Sequence, residues 1–365
     1  MSLSSTVDQL IAETIERRIF PGAVVLVAHG DEVLHYEAYG STMYGDSGSV
    51  AVQHDTIYDI ASLTKMFTAT AVLCLLDQGM LDLHASVVTY LPELHARDVT
   101  VFHLLTHTSG LDMRLSVLRH QSHTNILNAV YAAPQRYPAG TVVAYTNVNS
   151  LLLGEIISRL RHQPFDHALH ELVLEPLGLH ETRFCPPAEW LPRIAPTEND
   201  TDWRGGLVHG SVHDESTHAL GGVAGHAGLF STAADVFAFC RMWLDAISDF
   251  RFSIFDYDRQ SKIQSPKSKI LKPETARLAT TNQTPDLQFA CGLGWMMDRA
   301  NFMGNAPPGS FGHTGFTGPA MLVVPARQLI VVVLSNRVYP LRRPPPYEHH
   351  AVTAAIVNAA LDVIA

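Results

Sequence analysis

Ser62-Leu63-Thr64-Lys65-Met66-Phe67-Thr68-Ala69-Thr70-Ala71-Val72-Leu73 sets a hydroxyl and an amine three residues apart at the head of an apolar run. The pattern predicts a helix over 62–78, and the i, i+3 spacing puts Ser62 and Lys65 on one face of its first turn. Alone, an S-x-x-K tetrad says little, since roughly one accidental copy is expected in a chain of this length at average usage. The lysine distribution adds weight. The chain has five lysines against twenty arginines, four of the five fall in residues 262–272, and Lys65 stands alone elsewhere. An arginine keeps its proton, whereas a partly buried lysine at a helix N-terminus has its ammonium form disfavoured and becomes a usable base. A surface lysine capping a helix turn is the plain alternative.

A serine hydroxyl is a poor nucleophile until a neighbour takes its proton, so the chemistry also needs an orienting group and an oxyanion site. Two further stretches qualify. Tyr145-Thr146-Asn147 follows the turn signal Pro138-Ala139-Gly140 and precedes a helical pattern over 149–160, which predicts a loop at a helix mouth. Phe311-Gly312-His313-Thr314-Gly315-Phe316-Thr317-Gly318 predicts a glycine-punctuated strand whose backbone approaches a ligand closely.

Outward from these, residues 6–18 have helical spacing, 23–28 and 33–39 form a predicted hairpin, and 232–247 is a further apolar helix. Residues 292–296, 311–314, 320–324 and 329–334 are spaced like an antiparallel meander, and a helix over 349–364 closes the chain. Hairpin and meander join most simply into one sheet, giving an α+β fold: an antiparallel sheet flanked by helices in an α/β sandwich. The expected organisation is a discontinuous α/β domain of residues 1–61 plus 285–365, with a mainly helical domain, 62–284, inserted and a cleft between them as the site. The polar, basic stretch 251–272 is expected to be an exposed excursion.

The three motifs, in this order, resemble those of the penicillin-recognising serine hydrolases: class C β-lactamases, D-alanyl-D-alanine carboxypeptidases and related esterases. The resemblance spans nearly the whole chain. It includes Leu104-Leu105-Thr106-His107-Thr108-Ser109-Gly110-Leu111, Pro176-Leu177-Gly178-Leu179 and the glycine-rich run Gly221 to Ser231. Residues Ala195 to Glu198 and Val212 to Glu215 further resemble a branch of penicillin-binding-protein-like sequences and periplasmic esterases. The resemblance implies a β-lactamase/transpeptidase-like fold in which Ser62 is acylated and Lys65 and Tyr145 share its proton and later activate water. It also implies that Asn147 hydrogen-bonds Lys65 or a substrate amide, and that the oxyanion lies between the N–H groups of Ser62 and Phe316, beside His313, Thr314 and Gly315.

β-Lactamases usually carry lysine where this chain has His313, and an unperturbed imidazole is mostly uncharged at neutral pH. Loss of a fixed cation leans toward neutral substrates, so a carboxylesterase or transesterase is expected. Asn147 keeps an amide-reading group and points the other way, to a D-alanyl-D-alanine carboxypeptidase or weak β-lactamase. A catalytically silent scaffold has no chemical reason to keep an isolated lysine beside its serine.

With 47% hydrophobic and 16% charged residues the 365-residue chain can bury a large core, and its formal charge of -10 gives no basic footprint for nucleic acid or anionic lipid. No run of 18 apolar residues suggests a membrane span. The expected partner is a small-molecule ester or amide substrate, with no cofactor. Cys74, Cys185, Cys240 and Cys291 lack C-x-x-C spacing, and no basic-then-apolar leader is visible, so a cytoplasmic location is expected. His209, His213, His218 and His226 match no standard zinc spacing and are expected as loop histidines, with no metal. His103 and His107 are expected to pack or cap, and Trp295 to sit in the core or line the acyl pocket.

Overall fold

The computed structural model describes residues 2–45, 48–248, 270–345 and 347–364. Helix α1 (Leu3–Glu16) starts at Ser2, whose hydroxyl accepts from Ser5 N, and buries Val7 and Ile11. Strands β1 (Gly22–His29) and β2 (Glu32–Gly40) form the expected hairpin. The chain returns to the same sheet with β3 (Met296–Met297), β4 (Phe311–Thr314), β5 (Ala320–Val324) and β6 (Leu329–Ser335). The order is β2-β1-β6-β5-β4-β3, antiparallel throughout. Pairing of β1 with β6, in the register Val25↔Val333, joins the two ends of the chain, as the simplest topology required.

Both faces of this sheet are covered, which explains why β1 and β6 are apolar runs rather than alternating strands. Val24, Leu26, Ile330, Val332 and Leu334 face one core, while Ala23, Val25, Val27, Val331 and Val333 face the other, shared with α1 and the closing helix α5 (Glu348–Val363). On the first face lie α2 (Thr64–Asp77) and α4 (Ala233–Ile247), with α3 (Asn147–Arg161) packed against α2. Helix α2 is buried from Thr64 to Leu75, so it shows no polar stripe and serves as the central post of the molecule.

One expected strand is shorter than its sequence suggests. Of residues 292–296 only Met296 enters the sheet, because Gly294 adopts φ +90 and a Cβ there would stand 2.6 Å from that of Ala69 on α2. The chain crosses over the helix at this point instead of extending. Residues 251–269 of the basic stretch lie outside the described residues. Among the described residues, no helix is long and apolar enough to cross a membrane.

Leu26 is fully enclosed where the sheet meets α4. Leu26→Ala should lower the unfolding free energy by about 2–5 kcal/mol in guanidinium titrations, with specific activity of the folded fraction retained.

Candidate active site

A short strand, Tyr58–Asp59, pairs with Leu229–Ser231 and brings the chain to the foot of α2. It then turns through Ala61 at φ +45, a left-handed conformation that costs a residue with a Cβ roughly 1–2 kcal/mol. Asp59, 1% exposed, holds this turn: Oδ1 accepts from Ala61 N at 2.8 Å and Oδ2 from His213 N at 2.7 Å. Its backbone carbonyl accepts from Thr317 Oγ1 at 2.7 Å. One buried residue thereby ties together three segments distant in sequence. Burial raises the Asp59 pKa, against the pull of these N–H donors. Ser62 sits in the 3-10 turn Ala61–Leu63 that leads into α2.

Lys65 lies in the first turn of α2, 2% exposed, and its Nζ donates to Ser62 Oγ at 2.9 Å and to the His226 carbonyl at 3.0 Å. Burial lowers its pKa to about 7, with Asp214 pulling upward. Ile60 N and Thr68 Oγ1 donate to the carbonyls of Leu229 and Gly225, so the loop before Leu229 is fastened across the helix start. The Lys65 amine stands 5.0 Å from the centre of the Tyr145 ring. Enclosure raises the Tyr145 phenol above its usual value and the facing Ser62 hydroxyl lowers it. The residue as a whole is 46% exposed, so solvent moderates the upward push.

Thr146 caps α3 by accepting from Val148 N, which sets Tyr145 just outside the helix and Asn147 at its first position, on the cavity wall. The hydrogen bonds of Lys65 go to Ser62 and His226, not to Asn147. A second asparagine, Asn149, is the buried one. It accepts from Ser109 Oγ at 2.6 Å and donates to His107 Nδ1 at 3.2 Å, orienting the imidazole whose ring centre lies 4.9 Å from that of Tyr145. His107 is therefore part of the site's wall, while His103 closes a capping box with Thr100, as expected for a capping residue.

His313, fully buried on β4, donates Nδ1–H to the Thr314 carbonyl at 2.8 Å, and its Nε2 has no partner. Burial, then the charge on Lys65, pushes its pKa down to about 3. It is neutral at any physiological pH. The turn beyond it needs Gly315, because a Cβ there would lie 2.8 Å from the Ile60 carbonyl. Next along, Phe316 is exposed to the cavity. Among the described residues, neither the Ser62 nor the Phe316 backbone N–H donates a hydrogen bond.

Ser62, Tyr145, Asn147 and Phe316 open onto a cavity of about 450 Å³, also lined by Arg114 and Arg342. Arg342 is clamped by Glu198 at 2.6 Å and Glu215 at 2.7 Å. A smaller cavity of about 180 Å³ lies beside Tyr145, edged by His107, Phe289, Trp295 and Arg299. Trp295 touches this second space but belongs to the core, edge-on to Trp243 and Phe311.

The histidine-rich segment is wired by hydrogen bonds. His213 Nε2 meets Glu198 Oε2 at 2.8 Å, and His226 Nε2 meets Ser216 and Thr217 hydroxyls at 3.0 Å and Asp214 at 3.2 Å. Burial works to raise Asp214, but the His226 contacts outweigh it and hold the carboxyl far below its usual range. Asp59, Asp214, the His226 carbonyl, Arg299 and Arg342 were not singled out as site residues from sequence. The glycine-rich run around His226 and the stretch Val212 to Glu215, which holds Asp214, were the sequence signals bearing on them.

The family model described as Beta-lactamase matches residues 7–355. A protein of Escherichia coli (strain K12) named "Putative D-alanyl-D-alanine carboxypeptidase" is 26% identical over 392 residues, covering 94% of this chain and 86% of its own. Among solved structures, one described as "EstCE1, a hydrolase with promiscuous acyltransferase activity" superposes with a TM-score of 0.74 at 20% identity, over 97% of this chain and 98% of its own. A class C β-lactamase superposes with a TM-score of 0.73 at 21% identity, over 98% of both chains. The two superpositions show the β-lactamase/transpeptidase-like fold. With that fold, and a family match running almost end to end, the chain belongs to the Beta-lactamase family and is a serine hydrolase.

Proposed function

We propose that the protein is a carboxylesterase or transesterase that works through a Ser62 acyl-enzyme on uncharged ester substrates. The observation that carries the ester preference is the buried, neutral His313. It leaves the third motif without the fixed cation that a substrate carboxylate would seek.

In this reading the neutral Lys65 amine takes the Ser62 proton as Oγ attacks the acyl carbonyl. The N–H groups of Ser62 and Phe316 stabilise the oxyanion. The Lys65 ammonium returns that proton through the Tyr145 phenol to the departing alkoxide, giving an alcohol and the acyl-serine. Water, or a second alcohol in transesterification, then attacks the acyl-serine by the reverse path. Asn147 and Arg342, on the wall of the larger cavity, meet the acyl portion.

A second reading, a D-alanyl-D-alanine carboxypeptidase or weak β-lactamase, draws support from Arg299. Its guanidinium lies over the Phe289 ring at 4.6 Å and contacts Cys291 Sγ at 3.7 Å, with no carboxylate partner among the described residues. It is near enough to help depress His313. A substrate carboxylate placed in the smaller cavity would meet this cation.

Ser62→Ala should abolish turnover of a p-nitrophenyl ester with an unchanged circular-dichroism spectrum. Lys65→Arg should lower kcat more than 100-fold although charge is kept, and near-normal rates would remove Lys65 as the proton acceptor. With its pKa near 7, kcat/KM for a neutral ester should fall tenfold per pH unit below about 7 and level off above it. The same group makes stability rise with pH between about 7 and 10.5, because there the unfolded chain binds a proton the folded one does not. Arg299→Gln separates the two readings. Under the peptidase reading it should raise KM for a D-alanyl-D-alanine peptide at least tenfold and leave the neutral ester unaffected. Ester cleavage by the wild type, with no D-alanine release and no stable penicillin adduct, would remove that reading.

A further inference from the structure

Behind Phe316 lies a space of about 280 Å³ that Ser62, Lys65 and Tyr145 do not line. Arg337, Arg343, Tyr347 and His349 border it, with Ile19 and Pro344. Arg337 is 6% exposed, and its Nε and Nη2 are sealed from solvent without a hydrogen-bond partner. Two mutually perpendicular rings flank the guanidinium: Cζ stands 4.7 Å from the centre of the Phe316 ring and 4.4 Å from that of Tyr347, and the two ring centres are 6.1 Å apart. Aromatic faces attract the charge but accept none of the N–H bonds, which point outward in the guanidinium plane. Burial lowers the Arg337 pKa to about 10, which still leaves it cationic at neutral pH.

Three more features of this space favour negative charge. His349 is 3% exposed and neither ring nitrogen has a partner. It lies in the first turn of α5, a 16-residue helix whose N-cap, Tyr347, offers no side-chain acceptor; the His350 amide donates to the Tyr347 carbonyl at 3.0 Å, which leaves those of Glu348 and His349 for a ligand. The acid at the cavity's edge, Glu348, pairs with Arg17 at 2.5 Å, so it does not neutralise Arg337.

We propose that this cavity binds a phosphate group, held by Arg337, Arg343, His349 and the first-turn amides of α5. A tetrahedral oxyanion suits donors converging from two guanidinium groups and a helix end better than one planar carboxylate does. The phosphate arrives either as the inorganic ion or as the monoester of a small alcohol, and the cavity leaves room beside the ion for such a group. Two arginines and a free helix end set this pocket apart from the catalytic cavity, where Arg342 is already paired with carboxylates.

Isothermal titration calorimetry on the full chain, in chloride buffer at constant ionic strength, tests the proposal with sodium phosphate and glycerol 3-phosphate as probes. Wild type and Ser62→Ala should bind one equivalent of phosphate saturably. Arg343→Ala, a change at an exposed position, and Arg337→Met should each weaken binding at least tenfold. Equal affinity for the two probes identifies inorganic phosphate as the ligand, and at least tenfold tighter monoester binding identifies the esterified form. Absence of saturable binding of either probe to the wild type would overturn the site. Unchanged affinity in Arg343→Ala, or loss of binding in Ser62→Ala, would do the same. The Arg343 arm remains decisive even if Arg337→Met fails to fold.

Discussion

Withdrawing the Lys65 amine from water is the constraint around which the rest is arranged. Lowering an ammonium pKa from 10.5 to about 7 corresponds to roughly 5 kcal/mol of disfavoured charge. That is comparable with the net stability of many domains, so it persists only where the surroundings are already paid down by burial elsewhere. The surroundings here are a helix buried for nearly its whole length and a glycine-rich loop fastened over its first turn. Enclosed between them, the amine is 2% exposed and spends its hydrogen bonds on Ser62 Oγ and the His226 carbonyl. The same dryness reaches His107 and His313, each held neutral by burial and by the nearby lysine. Burial, the largest cause at all three groups, thus keeps His107 and His313 uncharged and makes the Lys65 amine available as a free base near pH 7.

Charge in this site is confined to its rim. Asp214 is locked to His226, Glu198 to His213 and Arg342, and Glu215 to Arg342, so most ionised side chains at the cavity are already paired. Pairs of this kind fix loop positions more than they add stability. They hold the His213 backbone N–H at Asp59, and through Asp59 they steady the Ala61 kink on which the direction of Ser62 depends. The polar rim is therefore a scaffold for the turn that carries Ser62 as much as a wall of the cavity.

Much of this was legible in the chain because it is local. Ser62 and Lys65 share a face through helical spacing, Tyr145 precedes a helix that Thr146 caps, and the strands are bounded by turn residues. The β1–β6 pairing followed from having two sets of strands and no other partner for either. What escaped notice is what only tertiary contact defines. The group that meets Lys65 opposite Ser62 is the carbonyl of His226, which any residue would offer equally. Arg299, Arg337 and Arg342 look alike among twenty arginines, and their differences arise from which carboxylates or rings the fold sets beside them. Asp59 lies outside every motif read from the sequence, and its part lies in reaching His213 and Thr317. The strand expected over 292–296 failed at Gly294, where contact with α2 overrode local preference.

Because β1 lies between β2 and β6, the sheet cannot be completed until residues 329–335 have been made. Ser62 and Lys65 are synthesised early, within four residues of one another, but the wall carrying Phe316 comes from the later strands of the sheet. Non-local pairing of this kind is slow to form, since a long intervening segment must first be ordered. A chain cut short before residue 316 would therefore carry Ser62 and Lys65 without the wall that faces them.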